Sequence, residues 1–447
     1  MGTLFHSPFH PAIQDLKVTI QDSSLIFSSQ NFDHEENSIF LSNIDQVLNF
    51  HVQTVHFFPA NPDFPPEAVV ARLKNALTKV MKHYDFLDGR LKMNHQTGRL
   101  EIERNGLGVG FVVASTKFLL DEIGDLVYPN PAFMQLIVNG LNKFDDQPLC
   151  VVQVTSFKCG GVALGISTNH VLFDGTSFKT FLQNIASQSF DDKPFTAVPC
   201  NNRRLLAARS PPQVTFEHPE LLKLKLPIGD EPPPVFDSTQ ETLDFKIFSL
   251  SPTDLNHLKE KALTAKKITG FNVVTAHIWR CKALSFNSEQ NNRDRVSVVL
   301  YAVDIRPRLC PPLPNSYCGN AVLTAYASAK CADLEDEPFS KIVDLVTEGA
   351  ARMTDEYARS AIDWGEVHKG FPNGEFLISS WWRLGLDEVV YPWGKPRYSC
   401  PVVCHRKDII LLFPEIGGAS SNGVNVLVAL PGKEMEKFQT LFYEFLK

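Results

Sequence analysis

Apolar residues recur in this chain with two spacings, every second position and about every 3.6 positions, and the switches between them outline its elements. Residues 50–58 begin with alternation and predict a strand. After Pro65-Pro66, the residues Val69, Val70, Leu73, Leu77, Val80 and Met81 share one helical face, which predicts an amphipathic helix lying on a sheet. Two apolar runs, 150–157 and 162–167, are joined by Lys158-Cys159-Gly160-Gly161 and predict a β-hairpin. From Thr176 the helical spacing returns with Phe178, Phe181, Leu182 and Ile185. Between residues 189 and 240 the periodicity is lost and prolines crowd, including Pro211-Pro212 and Pro232-Pro233-Pro234, so this stretch reads as a crossover. Order resumes with a strand at 243–248, a helix at 271–284, a strand at 298–303 and a closing helix bearing Met435, Phe438, Leu441, Phe442 and Phe445.

Strands and helices mix without a regular βαβ beat and without an internal repeat. That pattern predicts an α/β protein of mixed sheets flanked by helices, not a doubly wound parallel sheet. The expected organisation is one domain over residues 1–188, a crossover over 189–240 and a second domain over 241–447. A chain of 447 residues is also too long for a single core.

Composition narrows the function classes. A net charge of -7 argues against a nucleic-acid binder, which normally carries a basic face. Nine cysteines, an odd and scattered set, read as free thiols in a reducing compartment. Met1 to His6 has neither the basic start nor the apolar run of a leader or an anchor, and His6 stands where a myristoylation signal wants Ser or Thr. A cytoplasmic monomer with no membrane span is the expectation.

Chemistry concentrates at His170-Val171-Leu172-Phe173-Asp174-Gly175. His170 falls where an apolar strand ends, and Gly175 lets the backbone turn into the following helix without a side-chain clash. A neutral imidazole in that position can take a proton from an alcohol or amine near pH 7. A core histidine satisfied by a backbone carbonyl is the competing reading. Metal binding is disfavoured because no third ligand has a familiar spacing; Cys400, Cys404 and His405 match no structural zinc pattern. Ser167 lacks the second glycine of a nucleophile elbow. The closely spaced glycines Gly106, Gly108 and Gly110 lack the Lys-Ser/Thr ending of a phosphate loop, and read as a turn between strands. Lys266-Lys267-Ile268-Thr269, directly before a predicted helix, suits an anion.

The 170–175 segment resembles the HxxxDG motif of the plant BAHD acyltransferases. The similarity runs along the whole chain, through Leu41-Ser42-Asn43-Ile44-Asp45, Asp88-Gly89-Arg90-Leu91, Ala276-His277-Ile278-Trp279-Arg280, Val303-Asp304-Ile305-Arg306, Tyr317-Cys318-Gly319-Asn320 and Ser380-Trp381. Asp363-Trp364-Gly365-Glu366 and Tyr391-Pro392-Trp393-Gly394-Lys395-Pro396 look closest to one subgroup of that family. The resemblance implies a two-domain, chloramphenicol acetyltransferase-like fold with acyl-CoA as co-substrate, an alcohol or amine acceptor, and no bound cofactor. It makes His170 the base for direct attack on the thioester, with no acyl-enzyme. It gives Asp174 an arginine partner, for which Arg306 is the candidate, and places CoA contacts near Lys267 and Thr269. The family's second signature, DFGWG, departs here: Val390 and Pro392 replace its aspartate and first glycine, and only Trp393-Gly394 remains. Trp393 is a candidate indole donor to the oxyanion, beside the reading that it only packs the loop. The altered signature also motivates a second function reading, a non-catalytic binding or regulatory protein on the same scaffold.

Overall fold

The computed structural model describes residues 13, 15–28, 38–127, 130–138, 140–141, 146–224, 242–263, 267–286, 293–402, 406–416 and 423–447. Two six-stranded mixed sheets organise it. The first runs in the order Thr19–Ile26, Val109–Ser115, Cys150–Ser156, Val162–Asn169, His51–Phe58 and Tyr398–Pro401. The second runs Asp244–Leu250, Val424–Leu430, Ile409–Pro414, Phe376–Ser380, Val296–Asp304 and Val322–Lys330. Each sheet contains both parallel and antiparallel neighbours, as the irregular alternation of elements implies.

The first sheet packs its helices through the faces read from the sequence. Pro66–Val80 starts with proline at its first turn, where the missing N–H costs nothing, and buries Val69, Leu73, Leu77 and Val80. Gly175–Gln188 lies beside it and buries Phe178, Phe181, Leu182 and Ile185. The rings of Phe173 and Phe181 stack at 5.0 Å, which ties the turn before the helix to the helix itself. Cys150–Ser156 and Val162–Asn169 form the expected antiparallel hairpin.

The second sheet is covered by Gly270–Ser285, Phe339–Ala351 and Gly432–Glu444, whose apolar faces join its core. The expected elements of this half are present. The helices Phe339–Ala351 and Asp355–Val367 are additional to those expected from the sequence.

The strand Tyr398–Pro401 departs from the simple two-domain division. It pairs antiparallel with His51–Phe58 and completes the first sheet, although it belongs to the later half of the chain. Leu386, Val389, Tyr391 and Trp393 join the apolar cluster that holds Phe58, whereas Tyr398 and Cys400 join a separate one with Val55 and Phe57. The span 241–447 therefore contributes a strand to the first sheet. Its apolar residues between 386 and 400 were free to serve either core, and only pairing across more than 300 positions assigns them. The crossover is also more structured than a linker: Arg203–Leu206 forms a short turn, and Leu221–Lys223 pairs with Gly370–Pro372. Pro227 and Pro232 to Pro234 lie outside the described residues.

Candidate active site

His170 sits one residue beyond the strand Val162–Asn169, at the corner that leads into the helix Gly175–Gln188. Its backbone N–H donates to the Phe50 carbonyl at 2.8 Å, and the two rings meet edge-on at 5.2 Å. The residue is half-buried. Nδ1 is enclosed, beside its own carbonyl and the Asn320 side chain. Burial pushes the imidazole below its ordinary value, against the opposing pull of its own carbonyl and of Asp174, which leaves the ring neutral near pH 7.

Three groups grip the corner from different parts of the chain. Asp174 is the first. Its Oδ1 accepts from the Ser177 N–H at 2.9 Å and so caps the helix, while Oδ2 accepts from the Ala321 N–H at 2.9 Å. Arg306 closes on both oxygens, Nη1 at 2.8 Å from Oδ2 and Nη2 at 3.0 Å from Oδ1. A carboxylate whose two oxygens are engaged in this way is turned from the imidazole and towards the second half of the molecule.

Arg203 is the second. It is fully buried, and its guanidinium donates to the carbonyls of Val171 at 2.6 Å and Leu172 at 2.8 Å. The same Nη1 lies 3.1 Å from Asp45 Oδ1. Asn320 is the third: its Nδ2 donates to the His170 carbonyl and to Asp45 Oδ1, both at 2.8 Å. Asp45 and Asn320 belong to stretches that carry the family resemblance, yet the sequence alone assigned them no task. Arg203 was missed altogether, because a cation inside a proline-rich crossover carries no signal that it is buried.

Gly175 has a close neighbour instead of an unusual backbone. It lies outside the set of positive-φ glycines, and a Cβ there would stand 2.8 Å from the Leu384 side chain. The residue is small because Leu384 packs over the first turn of the helix, not because a sharp turn requires it.

Trp393 is not brought to His170. Its ring stacks on Tyr391 at 5.1 Å and meets Phe58 at 6.0 Å. Phe58 pairs with Val162, whereas His51 pairs with Asn169, so the two residues occupy opposite ends of the same pair of strands. At ~3.3 Å per residue those ends are about 23 Å apart. The indole N–H cannot reach an oxyanion formed beside His170. The loop it anchors needs no carboxylate: Tyr391 and Gly394 exchange two backbone hydrogen bonds of 3.0 Å, and Val390 is half-exposed.

Lys267 and Thr269 are both exposed at the start of the helix Gly270–Ser285. The Thr269 hydroxyl caps that helix by accepting from the Asn272 N–H. Gly270 faces two side chains, and a Cβ there would lie 3.1 Å from the Trp382 ring and 3.8 Å from the Arg383 guanidinium. Lys266, Cys404 and His405 lie outside the described residues. Among the described residues no three His, Cys, Asp or Glu side chains gather as metal ligands, and no helix is long and apolar enough to cross a membrane.

Comparison with known proteins places this arrangement. Residues 16–445 match the Transferase family. The chain is 58% identical to acyltransferase GLAUCE of Arabidopsis thaliana over the full length of both, the subgroup to which the 363–366 and 391–396 stretches point. It is 33% identical to the ω-hydroxypalmitate O-feruloyl transferase of the same plant, covering 91% of this chain and 88% of that one. Vinorine synthase, 23% identical over 94% of this chain and 96% of its own, shares the fold with a TM-score of 0.73. So does TRI101 of F. sporotrichioides, at 15% identity, 90% and 97% coverage and a TM-score of 0.72. The chain belongs to the Transferase family, the BAHD acyltransferases, and is an acyltransferase.

Proposed function

We propose that this enzyme moves an acyl group from acyl-CoA to a hydroxyl of a plant metabolite, in preference to an amine, by direct attack. His170 Nε2 takes the acceptor proton as the oxygen attacks the thioester carbonyl, and returns it to the CoA sulfur as the tetrahedral intermediate collapses. No acyl-enzyme forms. The observation that carries this reading is the neutral imidazole on a corner gripped by Asp174, Arg203 and Asn320, a base whose position is fixed before substrate arrives.

Asp174, Gly175 and Arg306 serve as supports of that corner, not as proton carriers. The CoA phosphates bind at the start of the helix Gly270–Ser285, where Lys267 adds charge to unpaired backbone N–H groups; Thr269 shapes that end as its cap. Trp393 takes no part in the chemistry. The altered DFGWG-like loop lies at the far end of the sheet from His170, which favours catalysis over the non-catalytic alternative.

Two relatives suggest the substrate class. One is an ω-hydroxypalmitate O-feruloyl transferase and another, 32% identical over 90% of this chain, a fatty alcohol:caffeoyl-CoA acyltransferase. A hydroxycinnamoyl-CoA donor and a long-chain alcohol acceptor are the first pair to try, within a cytoplasmic, monomeric enzyme. The test is a screen of acyl-CoA donors against pooled plant alcohols, read by mass spectrometry, with wild type and His170→Ala side by side. Ester formation by wild type and a loss of roughly 10²–10⁴-fold in the variant are expected. Equal rates for the two proteins would rule out the general-base role.

A further inference from the structure

The two strands that meet at His170 sort their side chains by face. His51 pairs with Asn169 and Gln53 with Ser167, so these four share one face of the sheet. Polar contacts knit that face together: Asn169 Nδ2 donates to Asn49 Oδ1 at 2.8 Å, and His51 Nδ1 lies 3.2 Å from Ser167 Oγ. Alternation puts Phe50 and Val52 on the other face, with His170. The ring of Phe50 meets the imidazole at 5.2 Å, and Phe50, Val52 and His170 are all half-buried. Phe58, Phe173, Phe178 and Phe181 fill the core under this sheet, whereas Phe50 keeps part of its ring open beside His170.

The polar side chains that hold the corner do not face this opening. Asp45, Asp174, Arg203 and Asn320 are all buried and engaged with one another or with the backbone. Nδ1 of His170 is enclosed as well, so the open side of the ring is that of Nε2. A hydroxyl held ~2.6–3.2 Å from Nε2 brings its own carbon, and the next carbon of the acceptor, within van der Waals reach of the Phe50 ring. We propose that Phe50 is a specificity-determining residue for the acceptor: its ring is the apolar wall against which the carbon next to the reacting carbinol lies, and it admits unbranched primary alcohols over vicinal diols. A phenyl ring offers neither donor nor acceptor to a second hydroxyl, which would give up its water on entry. Apolar sites discriminate against an added hydroxyl by about 10²-fold at most, so a single wall supplies about 10–100-fold. Val52 extends the same apolar face away from His170.

The inference rests on His170 being the base and on an alcohol acceptor, and the experiment separates the readings. Octan-1-ol and octane-1,2-diol compete in one tube for the acyl-CoA found in the screen above, and mass spectrometry gives the ratio of the two esters formed at C1. Wild type is expected to favour octan-1-ol by about 10–100-fold. Phe50→Asn, which puts an amide where the ring was, should bring the ratio to within about threefold of one, and Phe50→Leu should keep most of the preference. A merely structural role for Phe50 would lower both rates alike and leave the ratio unmoved. Phe50→Thr takes the place of Phe50→Asn if the latter fails to fold. A wild-type ratio near one, a wild type that esterifies neither alcohol, or a polar variant with the wild-type ratio overturns the inference. His170→Ala shows which reading has failed. If transfer to any acceptor depends on His170 while the ratio is flat, the wall alone is wrong; full activity in His170→Ala overturns both.

Discussion

The pair Arg306–Asp174 joins the second half of the molecule to the corner that carries His170, and removing its cation is the sharpest test of how that corner is held. Both side chains are almost fully buried, 7% and 4% exposed. In Arg306→Ala the Asp174 carboxylate keeps the Ser177 and Ala321 N–H groups but loses a guanidinium that reached both of its oxygens, and Ser177 Oγ loses a donor at 2.9 Å. Breaking a buried ion pair by deleting one partner costs about 3–5 kcal/mol, because the charge left behind stays desolvated. At roughly 2–4 °C per kcal/mol for a unit of about 200 residues, the melting temperature should fall by about 6–20 °C. Arg306→Lys, which keeps the charge but not the two-pronged contact, should fall between wild type and Arg306→Ala. The assay is thermal unfolding followed by intrinsic fluorescence, since the indoles of Trp279, Trp382 and Trp393 are buried. A shift below about 2 °C in Arg306→Ala would refute the reasoning, for it would mean that Asp174 finds water or another partner as readily as the arginine.

Trp393→Phe should retain kcat within about twofold, whereas loss of an oxyanion donor would cost about 10²–10³-fold; steady-state turnover separates the two. Trp393→Ala should instead lose about 3–5 kcal/mol of stability in a denaturant titration, through the cavity left against Phe58 and Tyr391. His277 is fully buried, and burial pushes its imidazole down to about 3, as it does that of His56. Both are neutral in the fold while the unfolded chain takes up protons below about 6.5, so stability is full above that pH and falls as pH drops towards about 3. Each contributes a slope of about 1.4 kcal/mol per pH unit within that window; His277→Leu should show a shallower acid decline in urea midpoints than wild type, and an unchanged slope would contradict the assignment. Gly175→Ala should destabilise by about 1–3 kcal/mol through contact with Leu384, and Leu384→Ala should recover part of the loss in the double variant. Strict additivity of the two would show that they do not touch.

Local periodicity made the framework of the corner legible. The strand before His170 is apolar and the helix after it buries one face, so Ile166, Phe178, Phe181 and Ile185 announce the elements that flank His170. Asp174 was read through the family resemblance as the partner of an arginine, and its capping of the helix emerged only from the structure. What held the corner from outside was harder. Arg203 and Asn320 act across 32 and 150 positions of sequence, and nothing in their neighbourhood distinguishes a buried donor from a solvated one. Trp393 was misplaced for the opposite reason. Its motif was recognisable, but a motif does not say which end of a strand it covers, and the register of Phe58 against Val162 settles that. The apolar residues around Tyr398 likewise read as strand, with no local clue to which sheet they complete.

That strand sets a schedule for biosynthesis. The edge of His51–Phe58 that Tyr398–Pro401 will cover emerges from the ribosome about 340 residues before its partner. At ~5–20 residues per second this leaves a naked apolar strand for roughly 17–70 seconds. Val55, Phe57 and Phe58 lie on it and are buried in the finished protein. An unpaired edge of that composition is a template for pairing with other chains. Nascent chains stalled or truncated before residue 398 should therefore occupy holdase chaperones or precipitate. Splitting the gene into its two apparent halves would make that condition permanent for the first half.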